Sequence, residues 1–205
     1  MFWADWHGVK TVQWLLDHGA DGSELDNFGV SPLAQYLKSH SSTLDVEICR
    51  SLLDTREAAS FVGYEEQTLG HFCAKRFDFR LAMLEVFDEG GVDLTKKDCR
   101  GRTVLHYAVL YNTLTEQVLM YLVTAIGIKA DDQDEQGRTA LQYAIEKVDA
   151  YHNRDSWDFI KLGNIISLLS GLQERERPPL LIQPDSSIHL PNTSLQPNPN
   201  GNRMQ

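Results

Sequence analysis

Two stretches of the chain bring together residue types that serve acid–base, nucleophilic or metal chemistry. In one, Asp98 and Cys99 stand a few residues before His106; in the other, His71 lies two residues before Cys73. A cysteine becomes a nucleophile when a histidine base lies within hydrogen-bond reach of its thiol. Cysteine, histidine and aspartate are also the usual ligands of zinc. Each histidine therefore either takes part in catalysis or metal binding, or serves only to stabilise the fold.

Neither stretch has the spacing of a known site. Residues 71 and 73 would point about 200° apart on a helix, so this imidazole and thiol should not meet. The chain has no HExxH, CxxC, GxxxxGK[ST], GxGxxG or GxSxG motif, and its seven histidines are scattered. We therefore expect no enzyme, with no catalytic residue, no metal and no cofactor. The alternative is a degenerate active site around His71 or near His152.

Composition narrows the class of partner. The 205 residues carry a formal net charge of −10 and are 42% hydrophobic, which disfavours binding to nucleic acid or to an anionic membrane. The N-terminus lacks a signal-peptide pattern, and the longest apolar run, residues 118–128, is too short to span a bilayer. Three widely spaced cysteines predict reduced thiols. We expect an intracellular monomer, cytoplasmic or nuclear, that binds a protein rather than nucleic acid or a membrane.

The stretch that contains His106 is one copy of a repeated motif. Residues 98–108 (DCRGRTVLHYA) and 134–144 (DEQGRTALQYA) share the pattern D-x-x-G-R-T-x-L-x-Y-A. Residues 26–36 (DNFGVSPLAQY) and 67–73 (QTLGHFC) are more distant copies. A period of this length is typical of stacked repeats. The recurring hydroxyl residues are spaced 35 to 37 residues apart, at Ser31, Thr68, Thr103 and Thr139.

A second pattern recurs in phase with the first. Apolar residues at helical spacing predict longer amphipathic helices, and glycine follows several of them, as is common at helix C-termini. Because one pair of short helices cannot bury its apolar faces alone, the units must stack. The sequence thus predicts an all-α solenoid of helix–turn–helix units with polar connectors. The longer helices are predicted around residues 9–16, 46–53, 81–87, 118–123 and 165–169.

The repeated motif resembles the ankyrin repeat family, whose signature includes T-P-L-H-x-A at a period near 33 residues. Thr103–Ala108 and Ser31–Leu33 carry the resemblance best, and Thr139–Ala144 is close. It covers roughly residues 4–172 and implies hairpin-like connectors between the helix pairs. The proline-rich segment 173–205 is predicted to be a disordered tail. Within a domain of residues 1–172, we expect a partial repeat at 1–24 and repeats at 25–61, 62–97, 98–133 and 134–172.

Three features depart from the family pattern. Trp6–Gly8 resembles the turn before a second helix, so the chain begins inside a repeat. This favours a fragment of a longer protein, with a docking surface at the exposed end as the alternative. In repeat 62–97, Glu66 replaces the motif glycine and Gly70 replaces the core leucine. The last repeat carries an insertion at 149–158. The interior near Gly70 should be thinner unless a neighbour compensates, the candidates being Leu69, Phe72 and Phe77.

The copies also change the interpretation of the histidines. His71 and His106 occupy one repeat position, which is filled by Ala34 and Gln142 in the other units. A position that accepts these residues is not an acid–base group. The resemblance implies that the imidazole bonds the backbone of the adjoining connector and fixes the stacking. Recurring tyrosines are predicted to form a ladder between repeats, at Tyr36, Tyr107 and Tyr143.

A basic cluster stands out in this acidic chain. Residues 96–102 (KKDCRGR) are basic, and residues 130–135 (ADDQDE), one repeat later, are acidic. Stacking would place the two connectors side by side, so we expect them to compensate each other's charge. The alternative is that a phosphorylated or acidic peptide is drawn to the arginines.

The resemblance implies a non-catalytic protein–protein interaction scaffold that binds its partner on the concave face of the array. The alternative is the truncated sensor region of a larger signalling or regulatory protein. Aromatic and arginine residues are frequent binding hot spots, which makes Arg100, Arg102 and Tyr111 the first candidates. Variable family positions on the concave face predict the partner-binding residues Phe28, Lys38, Tyr64, Lys75, Arg76, Arg100, Arg102, Leu110, Tyr111, Arg138 and Lys147.

Overall fold

A computed structural model describes residues 4–39, 43–53, 56–150 and 157–176 of the chain. These residues are mainly helical, with a short 3₁₀ turn at Tyr64–Glu66. The α-helices in chain order are α1 (Ala4–Asp17), α2 (Pro32–Lys38), α3 (Val46–Leu52), α4 (Arg56–Ala59), α5 (Leu69–Ala74), α6 (Leu81–Glu89), α7 (Val104–Leu110), α8 (Glu116–Thr124), α9 (Ala140–Ala150) and α10 (Trp157–Glu176).

The helices stack in two rows. Helices α2, α5, α7 and α9 pack one against the next and form the inner row. Helices α1, α3, α6 and α8 follow one another in the outer row, and α10 packs against α9 at the end of the array. Each of the later units thus supplies one inner and one outer helix, which confirms the predicted all-α solenoid.

The inner helices begin at the recurring hydroxyl residues. The Ser31 side chain accepts a hydrogen bond from the Ala34 amide at 3.2 Å, and Pro32 takes the first helical position. Proline suits that position because its φ angle is already helical and its missing N–H would have no partner there. Thr68 and Thr103 start α5 and α7 through capping boxes. The 35- to 37-residue spacing is therefore the spacing of helix N-caps.

The missing leucine of repeat 62–97 is compensated by residues that are distant in sequence. A Cβ atom at Gly70 would lie 2.7 Å from Leu94 and 3.0 Å from Val104, so these two side chains already fill the space. Phe77 was a candidate for this task, but 67% of its surface is exposed and it does not compensate. Because Leu94 and Val104 fill this space, the core runs through this repeat without a gap.

The motif glycine is needed for a left-handed backbone. Gly101 and Gly137 have φ angles of 74° and 75°, and Glu66 at the equivalent position has a φ angle of 57°. Residues with a Cβ atom adopt this region at a cost of roughly 1–2 kcal/mol. The prediction that Glu66 stands where glycine belongs is confirmed, and the repeat carries local backbone strain there.

Replacing Glu66 with glycine is expected to raise the free energy of unfolding by about 1 kcal/mol, because the left-handed cost disappears while some unfolded-state entropy is gained. The Glu66→Ala variant removes the same carboxylate but keeps a Cβ atom, so it serves as the matched control. Urea denaturation of both variants measures the difference. Equal stabilities for Glu66→Gly and Glu66→Ala would show that the backbone conformation is not the cause.

Both ends of the array differ in detail from the sequence-based expectation. Trp6–Gly8 lies inside the continuous helix α1, so the predicted turn at this place is wrong. Helix α10 continues to Glu176, which makes the first four residues of the predicted tail helical. The remaining tail, 177–205, and most of the insertion, including His152, lie outside the described residues. No helix within the described ranges has the length and apolar character needed to cross a bilayer.

Candidate partner-binding surface

The connector before each inner helix folds back on itself as a hairpin finger. In the finger of residues 98–102, the Asp98 amide donates to the Arg102 carbonyl at 2.9 Å. The fingers 26–30 and 134–138 close in the same way. These fingers extend from the N-termini of the inner helices, so fingers and inner helices together line one face of the array.

His106 links its own repeat to the next one. Its Nδ1 accepts a hydrogen bond from the Thr103 amide at 3.2 Å, and its Nε2 lies 3.1 Å from the Arg138 carbonyl of the following finger. An amide can only donate and a carbonyl can only accept, so the proton resides on Nε2 and the ring is neutral. This confirms the predicted role of His106 as a brace between repeats.

His71 makes the same pair of contacts one repeat earlier. Its Nδ1 accepts from the Thr68 amide at 3.1 Å, and its Nε2 donates to the Arg102 carbonyl at 3.0 Å. Burial lowers the pKa of His71 to about 4 and also lowers the pKa of His106. Both imidazoles are thus held neutral near pH 7 with both ring nitrogens already used.

Acidification is expected to destabilise the fold before the carboxylates titrate. Between the unfolded histidine pKa of about 6.5 and a folded pKa of about 4, the unfolded chain binds protons that the native chain does not. The free energy of unfolding therefore falls as pH falls through this window, by up to about 1.4 kcal/mol per pH unit for each histidine. Above about pH 6.5 the contribution is fully present. Urea titrations at several pH values measure the slope.

A double glutamine variant, His71→Gln/His106→Gln, is the control for this pH dependence. Glutamine does not titrate, and Gln142 already fills the same position in the last repeat. There its side-chain oxygen Oε1 accepts a hydrogen bond from the Thr139 amide at 2.7 Å. The variant should fold and should show a flatter dependence of stability on pH between 4.5 and 6, a range set by the reference histidine pKa of about 6.5. A slope equal to that of the wild type would rule out the two histidines as its source.

The buried cysteines are not activated thiols. Burial raises the pKa of Cys49 to about 12 and raises the pKa of Cys73 well above its ordinary value. The thiolate is the reactive form of cysteine, so neither residue is a nucleophile near neutral pH. Within the described ranges, no cluster of three or more histidine, cysteine or acidic residues is arranged to hold a metal ion.

Asp98, Arg102 and Tyr107 form a closed polar cluster that the sequence interpretation missed. The Tyr107 hydroxyl and Arg102 Nε both donate to Asp98 Oδ2 at 2.8 Å. Burial alone would raise the pKa of Asp98, but the hydrogen bonds from Arg102 and Tyr107 hold it below its ordinary value. The sequence feature that could have predicted this cluster is the D-x-x-x-R-x-x-x-x-Y spacing that two copies of the repeat share. The same cluster recurs in the next repeat, at Asp134, Arg138 and Tyr143.

The tyrosine ladder exists for two of the three predicted members. The Tyr107 ring meets His71 edge-on at 5.0 Å, and the Tyr143 ring meets His106 edge-on at 5.6 Å. Tyr36 stands one position later relative to its N-cap, and its hydroxyl accepts from the Asp45 amide instead. The prediction that Tyr36 shares this phase is wrong.

Cations and aromatic rings alternate along the inner helices and their fingers. We call this feature the cation–aromatic strip and define it by Lys38, Phe72, Lys75, Tyr107 and Arg102. Lys38 and Lys75 each lie 5.1 Å from the centre of the Phe72 ring. Lys75 lies 5.2 Å from the Tyr107 ring, and the Arg102 guanidinium lies 4.7 Å from it. Three residues predicted from separate repeats are thus brought together around two buried rings, with Arg102 buried, Lys75 half-buried and Lys38 exposed.

Buried histidines brace a row of hairpin fingers in this protein, and the comparison with protein families agrees with this architecture. Residues 71–155 match the family model described as ankyrin repeats in three copies. Residues 71–155 carry ankyrin repeats. No curated protein sequence matches the chain. Ankyrin repeats are generally protein–protein interaction modules, and proteins built from them are typically not enzymes.

Two predicted binding residues of the ankyrin array are used inside it. Arg76 is only 1% exposed and donates to the carbonyls of Leu37 and Ser39 at the end of α2. Lys147, at the equivalent position, donates to the Val109 and Leu110 carbonyls at the end of α7. Cations are favourable at helix C-termini, where the last carbonyls lack helical partners. The assignment of Arg76 to the binding surface is corrected to an internal helix cap.

The other predicted residues of the ankyrin array differ in accessibility. Phe28 and Tyr64 are each 89% exposed at finger tips. Tyr111 is 47% exposed, and its ring stacks on Tyr107 at 6.1 Å. Leu110 is half-buried beside it. The Arg102 side chain is enclosed by its Asp–Tyr cluster at 11% exposure, and Arg138 is one-third exposed. Arg100 is the most accessible of these three finger arginines, at 61% exposure.

Neighbouring ankyrin repeats compensate each other's charge, but one of the ion pairs differs from the predicted one. Lys97 pairs with Asp132 of the next repeat at 2.9 Å, as the basic and acidic connectors predicted. Arg100 instead pairs backward with Glu65 at 3.1 Å. Exposed pairs of this kind contribute only about 0–1 kcal/mol, so a partner carboxylate can replace Glu65 at little cost.

Proposed function

We propose that this ankyrin array is a non-catalytic scaffold that binds an acidic segment of a protein partner on its concave face. The observation that carries the proposal is the pair of cations on the cation–aromatic strip, exposed Lys38 and half-buried Lys75, in a chain whose net charge is −10. A locally basic surface on an acidic protein is suited to a partner of opposite local charge.

The electrostatics of Lys75 support an acidic ligand. Burial lowers the pKa of Lys75, and the nearby cations Arg102 and Lys38 lower it further, while Glu65 acts in the opposite direction. A carboxylate that docked beside Lys75 would favour its charged form and gain a charge-assisted hydrogen bond. Arg100 offers an accessible guanidinium at the finger tip for a second acidic group.

Exposed tyrosines supply the apolar part of the surface. Tyr64 lies at the tip of the turn whose neighbour Glu65 contacts Arg100, and Tyr111 stacks on the ring that closes the strip. Tyrosine loses little conformational freedom on binding and buries a large area, so both residues are suited to anchor a partner.

Affinity capture with a paired variant tests this surface. Arg100→Glu/Tyr111→Ala should lose the partner captured by wild type, because one change reverses a charge and the other removes an aromatic anchor. The matched control is Arg50→Glu/Tyr121→Ala on the outer helices. Arg50 is likewise exposed and paired with Glu89 at 2.8 Å, and Tyr121 bonds Asp88 at 2.9 Å.

The control pair should retain the partner, and capture by wild type should weaken as salt rises from 50 to 300 mM, concentrations that span the usual screening range. If both pairs capture equally, or if the control pair alone loses the partner, the concave face is not the binding surface. That the array is the sensor region of a larger protein stays a prediction, and an in-frame extension of the gene upstream would support it.

A further inference from the structure

Within the part of the chain that the structure describes, helix α1 has no neighbour in the inner row. Each later outer helix is preceded by an inner helix of its own unit, as α3 is by α2 and α8 is by α7. Among residues 4–39, 43–53, 56–150 and 157–176, no helix takes the corresponding place beside α1 and in front of α2. The regular stacking thus defines a helix-shaped position at this end of the array.

This position is a cavity of about 930 Å³ bounded by α1, the first finger and α2. Its floor is apolar, with Val12, Leu15 and Leu16 from α1 and Ile48 and Leu52 from α3. Two further apolar side chains stand at its mouth, Trp14 and Leu25, and both are exposed.

The rim of the cavity is acidic. Asp21, Glu24 and Asp26 line it, and no lysine or arginine of the described residues does. Asp26 is the first-finger equivalent of Asp98, but Val30 and Gln35 stand where Arg102 and Tyr107 stand in the later repeat. Asp26 Oδ1 accepts from the Phe28 and Val30 amides, and the arginine that closes the later clusters is not supplied by this finger.

The Val30 carbonyl would set the register of a helix that seats in the cavity. At the equivalent position in later repeats, the backbone carbonyls of Arg102 and Arg138 each accept a second hydrogen bond. Its donor is the brace histidine of the preceding repeat. Val30 accepts from the Asp26 amide at 3.0 Å, and a carbonyl has a second lone pair for another donor. A helix seated in the cavity in this register would place a polar side chain against that carbonyl.

We propose that this cavity, which we call the end groove, binds a basic amphipathic helix of a partner protein. The apolar stripe of the helix packs on α1 and α3, and its lysine or arginine residues lie against Asp21, Glu24 and Asp26. The charge of the rim selects a basic helix, whereas the concave face selects an acidic segment. The two surfaces therefore hold different partners.

A peptide copied from the chain's own inner helix tests the end groove. The fluorescein-labelled probe is residues 100–113 (RGRTVLHYAVLYNT), which carries two arginines just before the helical segment Val104–Leu110, the apolar residues of that segment and a brace histidine. Fluorescence anisotropy with the full chain should show saturable binding. A scrambled peptide of the same composition should bind at least about tenfold more weakly, a factor that corresponds to 1.4 kcal/mol.

Variants at the groove make the location testable. Leu25→Asp places a charge at the mouth, where the side chain is 53% exposed, so it should block the peptide without unfolding the protein. Glu24→Lys should weaken binding through repulsion, with a smaller effect at high salt. The matched controls Ile160→Asp and Glu85→Lys, both exposed elsewhere on the array, should bind as wild type does. So should Arg100→Glu/Tyr111→Ala, whose changes lie on the concave face.

Three results would overturn the proposal. One is the absence of saturable binding, and another is unchanged binding by Leu25→Asp. The third is a wild-type dimer that Leu25→Asp converts to monomer, since a second copy would then occupy the groove. Loss of peptide binding in Arg100→Glu/Tyr111→Ala would place the peptide on the concave face, which also contradicts the end groove.

Discussion

Replacing Arg76 with methionine is expected to lower the free energy of unfolding by about 3–5 kcal/mol, the usual cost of leaving one member of a buried ion pair without its partner. Arg76 Nε donates to Asp78 Oδ1 at 2.8 Å, and the two side chains are 1% and 6% exposed. Burial alone would raise the pKa of Asp78, but the bonds from Arg76 and the Leu44 amide lower it, so the carboxylate is charged. Methionine would leave that charge buried and free the carbonyls that end α2.

The double variant Arg76→Met/Asp78→Asn separates the charge from the packing. Asparagine keeps an oxygen that can accept from the Leu44 amide but carries no charge, so the double variant should be more stable than Arg76→Met alone. Urea denaturation followed by circular dichroism gives both free energies. If the single variant loses less than about 1 kcal/mol, a value typical of exposed pairs, then Arg76 is not the internal cap that the structure indicates.

Replacing Leu105 with alanine is expected to cost about 2–5 kcal/mol, as large-to-small changes in a packed core do. Leu105 is 1% exposed and belongs to the continuous core that runs through all four inner helices. It is the motif leucine of the T-x-L-H pattern, so its burial follows directly from the repeat register. Because each repeat packs only against its neighbours, the loss should also reduce the cooperativity of unfolding at the centre of the array.

Ile145→Ala is the matched control for Leu105→Ala. Ile145 lies on the next inner helix and is 40% exposed, so its truncation should cost clearly less because most of the lost contact is with water. Both variants are compared in the same urea titration. A loss for Leu105→Ala below about 1 kcal/mol would contradict the register, since buried leucines do not fall in that range.

Much of this fold was predictable because its determinants are local. The Ser or Thr that caps each inner helix, the apolar spacing of each outer helix and the glycine at a positive φ angle each act within a few residues. Each of these signals is weak by itself, but because they recur in every repeat, together they predict the fold. That His106 is a structural rather than an acid–base residue also followed from comparing copies, because Gln142 stands at the same position in the last repeat and there caps the helix start in the same way.

The candidate surface was predicted less well, because accessibility depends on residues from other repeats. Arg76 and Tyr111 occupy one repeat position, yet Arg76 is enclosed beneath the end of α2 while Tyr111 remains on the surface. Lys38, Lys75 and Arg102 were named from three repeats, but only the stacking distance places them around the same two rings.

The sequence by itself determined the repeat period, the helix starts and the identity of the stacking histidines, since each of these depends on interactions within a unit or between identical units. Tertiary structure alone decided which side chains fill irregular places. Leu94 and Val104 occupy the space of a leucine that Gly70 lacks, and the end groove exists because α1 has no inner neighbour among the described residues. Both features depend on how segments that are distant in the chain pack against one another, or leave space between them, and no local pattern records this.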